Sequence, residues 1–310
     1  MPWDYSAFGL RVECAVPLPE LSAAGHKARE SAPDVEIIDG DLAGMEPTKP
    51  CAEARYFGAC ARGFFIDIPE VARFEISCGA KIIFWRSPAA LDETIRLYLL
   101  GSAFGALLMQ RGCLVLHANA VIPKGHRAAI MCVGPSGSGK STTAVALAQR
   151  GAAILTDDVC VIDKQGRALP GIARAKLCED AAHALAINVS GLPHVARNIP
   201  KLSIPLASRG ALAPAPPRAA FVLEPSDGAR ITATELTAIE RFTALRSNLY
   251  RPEFLGPLGV EEALFEPLAE LSRTLRIFRV TRPREGFDIE GLMKCLLATL
   301  AELEHEVTTT

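Results

Sequence analysis

A formal net charge of −2 over 310 residues, from 33 basic and 35 acidic side chains, excludes a dominant nucleic-acid-coating surface. The 49% hydrophobic and 22% charged content is that of an ordinary globular protein, long enough for one large domain or two. Nine cysteines occur without a C-x-x-C or a Cys/His metal spacing, and their odd number with no secretory leader pattern points to a reducing, cytoplasmic setting.

Residues 5–88 read as β-rich, with candidate strands Phe8–Cys14, Val35–Asp39, Gly63–Ile68, Arg73–Ser77 and Lys81–Arg86 separated by Gly, Pro and Asp clusters. No catalytic constellation stands out there. The segment 1–88 is taken as an N-terminal domain, either a recognition module or a scaffold sheet. A helix is predicted from Pro88 to about Gln110, opening a second domain over 89–310. Leu91, Ile95, Tyr98, Leu99, Phe104 and Leu108 form its apolar stripe, Gly112 caps it, and Gly101 and Gly105 mark a closely packed face. Its apolar part, Ile95–Met109, is too short to cross a bilayer and contains Arg96, so no membrane partner is expected. Cys113–Ile122 then reads as a strand with His117 and Asn119 on one face. By itself, a histidine in such a run is more often a hydrogen-bonded core residue than a catalyst.

The apolar run Ala128–Val133 reads as a buried strand. It leads into Gly134-Pro135-Ser136-Gly137-Ser138-Gly139-Lys140-Ser141, which fits G-x-x-x-x-G-K-[ST], a phosphate-binding loop. Glycines let the backbone curl until successive N–H groups face phosphate oxygens. Lys140 can reach the β- and γ-phosphates, Ser141 can ligate Mg²⁺, and Thr142 extends the nucleotide-binding run into the next helix. That helix is predicted over Ser141–Arg150 with Gly151 as its cap. Ala152–Leu155 reads as a strand ending in Thr156-Asp157-Asp158. Ligands bind beyond the carboxyl ends of strands in open α/β sheets, so the acid pair should lie beside the loop. One carboxylate can hold Mg²⁺ and another can take a proton from an attacking hydroxyl. Neighbours on a strand point to opposite faces, so the two acids should not share one job.

Downstream, Lys164–Gly166 reads as a turn, Leu169–Lys176 as extended and Glu179–Ile187 as helical. Asn198–Leu202 reads as irregular; its Lys201 either meets the γ-phosphate or an acidic substrate, or is simply solvated. Ala211–Pro217 reads as a linker, and Ala219–Glu224 with Ala229–Thr234 as paired strands around Pro225–Gly228. Helices are predicted over Glu235–Leu249, Val260–Thr274 and Phe287–Glu304, and a strand over Leu275–Thr281. Arg241, Arg246 and Arg251 form a basic cluster, either a phosphate or substrate contact or a solvated helix face.

From Leu116 to Asp158 the chain resembles the catalytic core of the HPr kinase/phosphorylase family. The matching parts are His117, the loop Gly134–Ser141, the helix ending in Arg150-Gly151, and Asp157-Asp158. The resemblance implies an α/β fold, α+β overall: an HPr-kinase-type P-loop core similar to that of phosphoenolpyruvate carboxykinase, with a β-rich N-terminal domain. It implies ATP as donor, Mg²⁺ as cofactor and a serine hydroxyl as acceptor. It further implies Asp157 as general base with His117 as its partner, Lys140 and Ser141 on phosphate and Mg²⁺, and Asp158 near the metal. The Glu-Arg-Gly-Leu-Gly signature that follows the acid pair in the bifunctional enzyme is absent. The opening phrase Phe8-Gly9-Leu10-Arg11-Val12, with Pro17–Leu21, is similar to that of HPr-kinase-like proteins found beside ribosomal peptide clusters, lasso-peptide tailoring kinases among them. That likeness implies a precursor peptide, phosphorylated on its C-terminal serine, as partner. An HPr-like protein or small molecule as acceptor, and a non-catalytic nucleotide-binding module, remain the alternatives; relatives also imply a homo-oligomer.

Overall fold

Alternating side chains in Val35–Asp39 and continuous apolar runs in Gly63–Ile68 and Lys81–Arg86 build the first sheet of the computed structural model, which describes residues 2–25, 31–53, 56–172, 174–196, 199–206, 213–284, 286 and 288–308. Its strands are β1 (Trp3–Ala7), β2 (Leu10–Cys14), β3 (Ser22–Ala23), β4 (Val35–Asp39), β5 (Phe57–Cys60), β6 (Gly63–Ile68), β7 (Ala72–Ser77) and β8 (Lys81–Arg86). Among the described residues they order β3-β1-β2-β4-β8-β7-β6-β5. The predicted strand Phe8–Cys14 begins two residues late. Phe8 and Gly9 both take positive φ, 53° and 73°, and make the two-residue turn that pairs Ala7 with Leu10.

The next helix covers one face of this sheet. It runs as α1 (Asp92–Tyr98), a π-turn (Leu99–Ala103) and α2 (Phe104–Gln110), burying Ile95, Leu99, Phe104 and Leu107 against Phe64, Phe74 and Phe84. It starts at Asp92 rather than at Pro88, because Pro88 enters a turn closed by Ala90 N–H to Ser87 C=O at 3.0 Å.

A second sheet carries the phosphate loop. Its neighbourhood comprises β9 (Leu114–Leu116), β10 (Ala118–Ile122), β11 (Ala129–Val133), α3 (Lys140–Gln149), β12 (Ala153–Thr156), β13 (Cys160–Ile162), β14 (Arg174–Leu177), α4 (Glu179–Ala184), β15 (His194–Ala196), β16 (Ile199–Pro205), β17 (Pro217–Ser226), β18 (Thr232–Glu235), α5 (Ala238–Ser247), α6 (Leu255–Leu258), α7 (Glu261–Thr274), β19 (Arg276–Pro283) and α8 (Ile289–Thr308). The sheet orders β12-β10-β11-β17-β19-β18. β11, β17 and β19 are mutually parallel, whereas β10 is antiparallel to both β11 and β12. Two reversals restore direction, so β11 and β12 end on the same edge of the sheet. Leu147, Leu296 and Leu300 from α3 and α8 cover one face, and Leu245, Leu268 and Leu271 from α5 and α7 cover the other. The protein is thus a mixed α/β structure with several sheets and helices.

Several expectations change here. Cys113–Ile122 is not one strand: His117 separates β9 from β10, its N–H donating to Asn248 C=O at 2.8 Å. The two strands around Pro225–Gly228 do not pair with each other, because β19 lies between β17 and β18. β17 is apolar through Ala219–Leu223 and needs a partner on each edge, which parallel β11 and β19 supply. Glu235 ends β18, and α5 begins after the Thr237 cap, whose N–H and hydroxyl both donate to the Glu240 carboxylate at 2.9 and 2.8 Å. The irregular segment is the strand β16, with Asn198 outside the described residues. The supposed linker is tied down at Ala215, which exchanges backbone hydrogen bonds with Ala168; its Ala211 and Leu212 lie outside the described residues, as does Phe287 at the start of the last predicted helix.

Candidate active site

The loop between β11 and α3 needs glycine at two points. Gly134 has φ 137°, and a Cβ there would sit 2.9 Å from Leu223 C=O; Gly139 has φ 103° at the helix N-cap. Lys140 is buried, its Nζ donating to Gly134 C=O at 2.7 Å and Pro135 C=O at 3.0 Å. Burial lowers its proton affinity, and the two aspartates oppose that. Buried Asn119 fastens the loop's far end to the sheet: its amide donates to Lys140 C=O at 2.6 Å, and its carbonyl accepts the Cys132 N–H at 3.1 Å. His117, by contrast, lies between β9 and β10, outside both strands.

The acid pair sits at the end of β12, beside the loop. Asp158 has φ +73° and occupies the apex of a three-residue turn closed by Val159 N–H to Asp157 C=O at 2.9 Å. A non-glycine residue in that region costs roughly 1–3 kcal/mol and marks a place where geometry is imposed. The turn sends the carboxylates apart. Asp158 meets His117 Nδ1 at 3.2 Å and Lys176 Nζ at 2.6 Å. Burial opposes its ionisation, yet Lys176 and His117 hold its carboxyl well below the usual carboxylate range. Lys176 is affected in reverse: burial depresses it, and Asp158 outweighs burial and raises it.

Asp157 is buried. Its Oδ2 accepts the Lys176 N–H at 3.3 Å, and its Oδ1 has no hydrogen-bond partner among the described residues. Burial, then the charge of Asp158, push its carboxyl up to about 6, against the nearby Ser141 hydroxyl and the Lys176 backbone N–H. The pairing thus runs opposite to the expectation: His117 partners Asp158, and Ser141 lies by Asp157. The turn at Asp158, rather than strand alternation, sets those directions.

Three cavities meet at Asp158, and the third of them also reaches Asp157. The first, about 350 Å³, is lined by Ser136, Gly137 and residues 139–142 of the loop together with His117, Asp158, Lys176, Lys201 and Arg282. The second is a cleft of about 830 Å³, lined by Gly134, Pro135, His117, Asp158, Tyr250 and α5. The third, about 190 Å³, reaches Asp157, Asp158, Lys176 and Arg174 from the α1 side.

Compared with models of protein families and with curated proteins, the chain matches none. The site must therefore be read from its own geometry. Among the described residues no cluster of three or more His, Cys, Asp or Glu forms a ready-made metal cage. A phosphate-bound Mg²⁺ needs none, because one hydroxyl, a carboxylate, phosphate oxygens and waters complete its octahedron. Ser141 with the unpartnered Asp157 Oδ1 fits that oxygen set.

Four residues of the site escaped the sequence reading. Lys176 comes from β14, Asn248 from the end of α5, where its side-chain carbonyl accepts the Gly134 N–H at 2.9 Å, Tyr250 from the turn beyond, and Arg282 from β19. The alternation Arg174-x-Lys176 on an extended segment was the one available signal. Of the basic cluster, Arg251 lines the cleft, while Arg241 donates to Leu275 C=O at 3.4 Å.

Proposed function

We propose that this chain is a Mg²⁺/ATP-dependent kinase with an HPr-kinase-like core that phosphorylates a serine-type hydroxyl of a peptide. The reading rests on one observation above all: His117 and Asp158 line both the loop cavity and the larger cleft. A donor on the loop and an acceptor in the cleft would meet at that carboxylate.

The acceptor oxygen attacks the γ-phosphorus, the bond to the β-phosphate oxygen breaks, ADP departs, and the hydroxyl proton passes to Asp158. The transition state of such a transfer is loose, so a carboxylate already ionised at neutral pH suffices as a late proton acceptor. His117 and Lys176 hold it in place. Lys140 exchanges the Gly134 and Pro135 carbonyls for phosphate oxygens, adding positive charge where negative charge develops. Ser141 and Asp157 would hold Mg²⁺, which would neutralise the phosphates.

The cleft suits a polypeptide segment. It is large and carries Ile239, 72% exposed, on its wall. The acceptor suggested by the chain's opening phrase is the C-terminal serine of a ribosomal precursor peptide. A small hydroxyl compound is the second reading, favoured by the narrower chamber behind the acid pair. Mass spectrometry of a serine-terminated peptide incubated with the protein, ATP and Mg²⁺ tests the proposal. The expected result is the gain of one phosphoryl group on serine. Nucleotide binding without a phosphorylated product, from peptides or from a pool of small alcohols, would leave only a binding module.

A further inference from the structure

Two cations in the loop cavity have no carboxylate to answer. Among the described residues Lys201, on β16, has no ion pair or side-chain hydrogen bond, and Arg282, at the end of β19, has no ion pair. Unpaired cations lining one cavity from separate elements call for an anion. The acids in that cavity do not supply it: Asp158 is engaged by His117 and Lys176, and Asp180 stands exposed at the rim. The two cations address different parts of the loop. Arg282 donates from Nε and Nη2 to Ser138 C=O, both at 3.2 Å, and lies 3.8 Å from where a Cβ on Gly139 would be. Lys201 is instead near the Lys140 ammonium, whose proton affinity it helps to lower, and Lys140 is the side chain that reaches the terminal phosphates.

We propose that Lys201 and Arg282 form a two-sided clamp on the bound polyphosphate, with Lys201 reading the γ-phosphate and Arg282 the inner phosphates. The inference rests on the phosphate-loop reading above and adds to it a device for preferring triphosphate over diphosphate. Arg282 closes over the Ser138–Gly139 turn, where N–H groups serve the inner phosphates. Lys201 adds charge only where a third phosphate would lie.

The test is calorimetric binding of ADP·Mg²⁺ and of a non-hydrolysable ATP analogue with Mg²⁺ to the full chain. Lys201→Gln should weaken the triphosphate about tenfold and leave ADP within about twofold, as expected for one charge-assisted contact. Arg282→Gln should weaken both by about tenfold, and Arg282→Lys, which keeps the charge, should recover part of that loss. A Lys201→Gln protein that binds both nucleotides like wild type, or loses both equally, overturns the clamp while leaving the kinase proposal standing. A wild-type protein that binds neither nucleotide overturns the phosphate site and the clamp together.

Discussion

Glu75 in the N-terminal sheet and Asp157 at the end of β12 are both buried acids, and they are treated in opposite ways. In the N-terminal sheet Glu75 is 1% exposed, and both its oxygens are used. Oε1 accepts from Thr48 N–H at 2.6 Å and the Thr48 hydroxyl at 2.9 Å, with Arg73 Nε at 3.4 Å, and Oε2 accepts from Arg62 at 3.0 Å. Just beyond β12, Asp157 is 3% exposed with one oxygen bare among the described residues, next to another carboxylate. A satisfied buried acid is a fastener. An unsatisfied one is tolerated where something else is to complete it.

Substitutions can break or sharpen that contrast. The largest effect should come from Lys140→Ala, which removes the loop's own cation. Nucleotide affinity should fall about a hundredfold or more by titration, with the fold intact by circular dichroism. Next is Glu75→Gln, which leaves Arg62 and Arg73 without their anion. Chemical denaturation should show a loss of about 2–4 kcal/mol, with nucleotide affinity of the folded protein unchanged.

Asp157→Asn should act the other way in the ligand-free protein. The Asp157 carboxyl is raised from 3.8 to about 6 on folding, so the folded state holds a proton that the unfolded state has released between those values. Stability from this group is therefore present below the unfolded value and is lost as pH rises through about 6. The resulting penalty at neutral pH is about 2–3 kcal/mol, which Asp157→Asn should relieve, flattening the stability profile between pH 4 and 6. The same variant should need more Mg²⁺ for nucleotide binding. The smallest effect is expected at Gly105, where a Cβ would lie 3.1 Å from the Tyr250 ring. Gly105→Val should cost about 1–2 kcal/mol in thermal unfolding, because it pushes that ring toward the site.

Much of this was legible in the chain. Val35–Asp39, Gly63–Ile68 and Lys81–Arg86 announce their strands by short apolar stretches set between Gly, Pro and Asp clusters, and the structure keeps those bounds. The loop and its flanking strand and helix follow from local rules, as does the placing of the acid pair beside them. Gly101 and Gly105 do mark close packing, although against Tyr250 rather than another helix. What local rules miss is set at long range. β19 enters between β17 and β18 because the apolar strand β17 needs two partners, a demand no turn signal records. The division of labour between Asp157 and Asp158 depends on a single positive φ, and strand alternation cannot foresee it. Lys176, Asn248 and Arg282 reach the site from elements remote in sequence, namely β14 in a separate three-stranded sheet, the end of α5 and the end of β19.

The central claim is that Asp158, and not Asp157, receives the acceptor proton. The most direct measurement is single-turnover phosphoryl transfer from γ-labelled ATP to a serine peptide by Asp158→Asn, alongside its nucleotide affinity. Transfer should fall about a thousandfold while nucleotide binding stays within a fewfold of wild type. Transfer at the wild-type rate by Asp158→Asn would contradict the account.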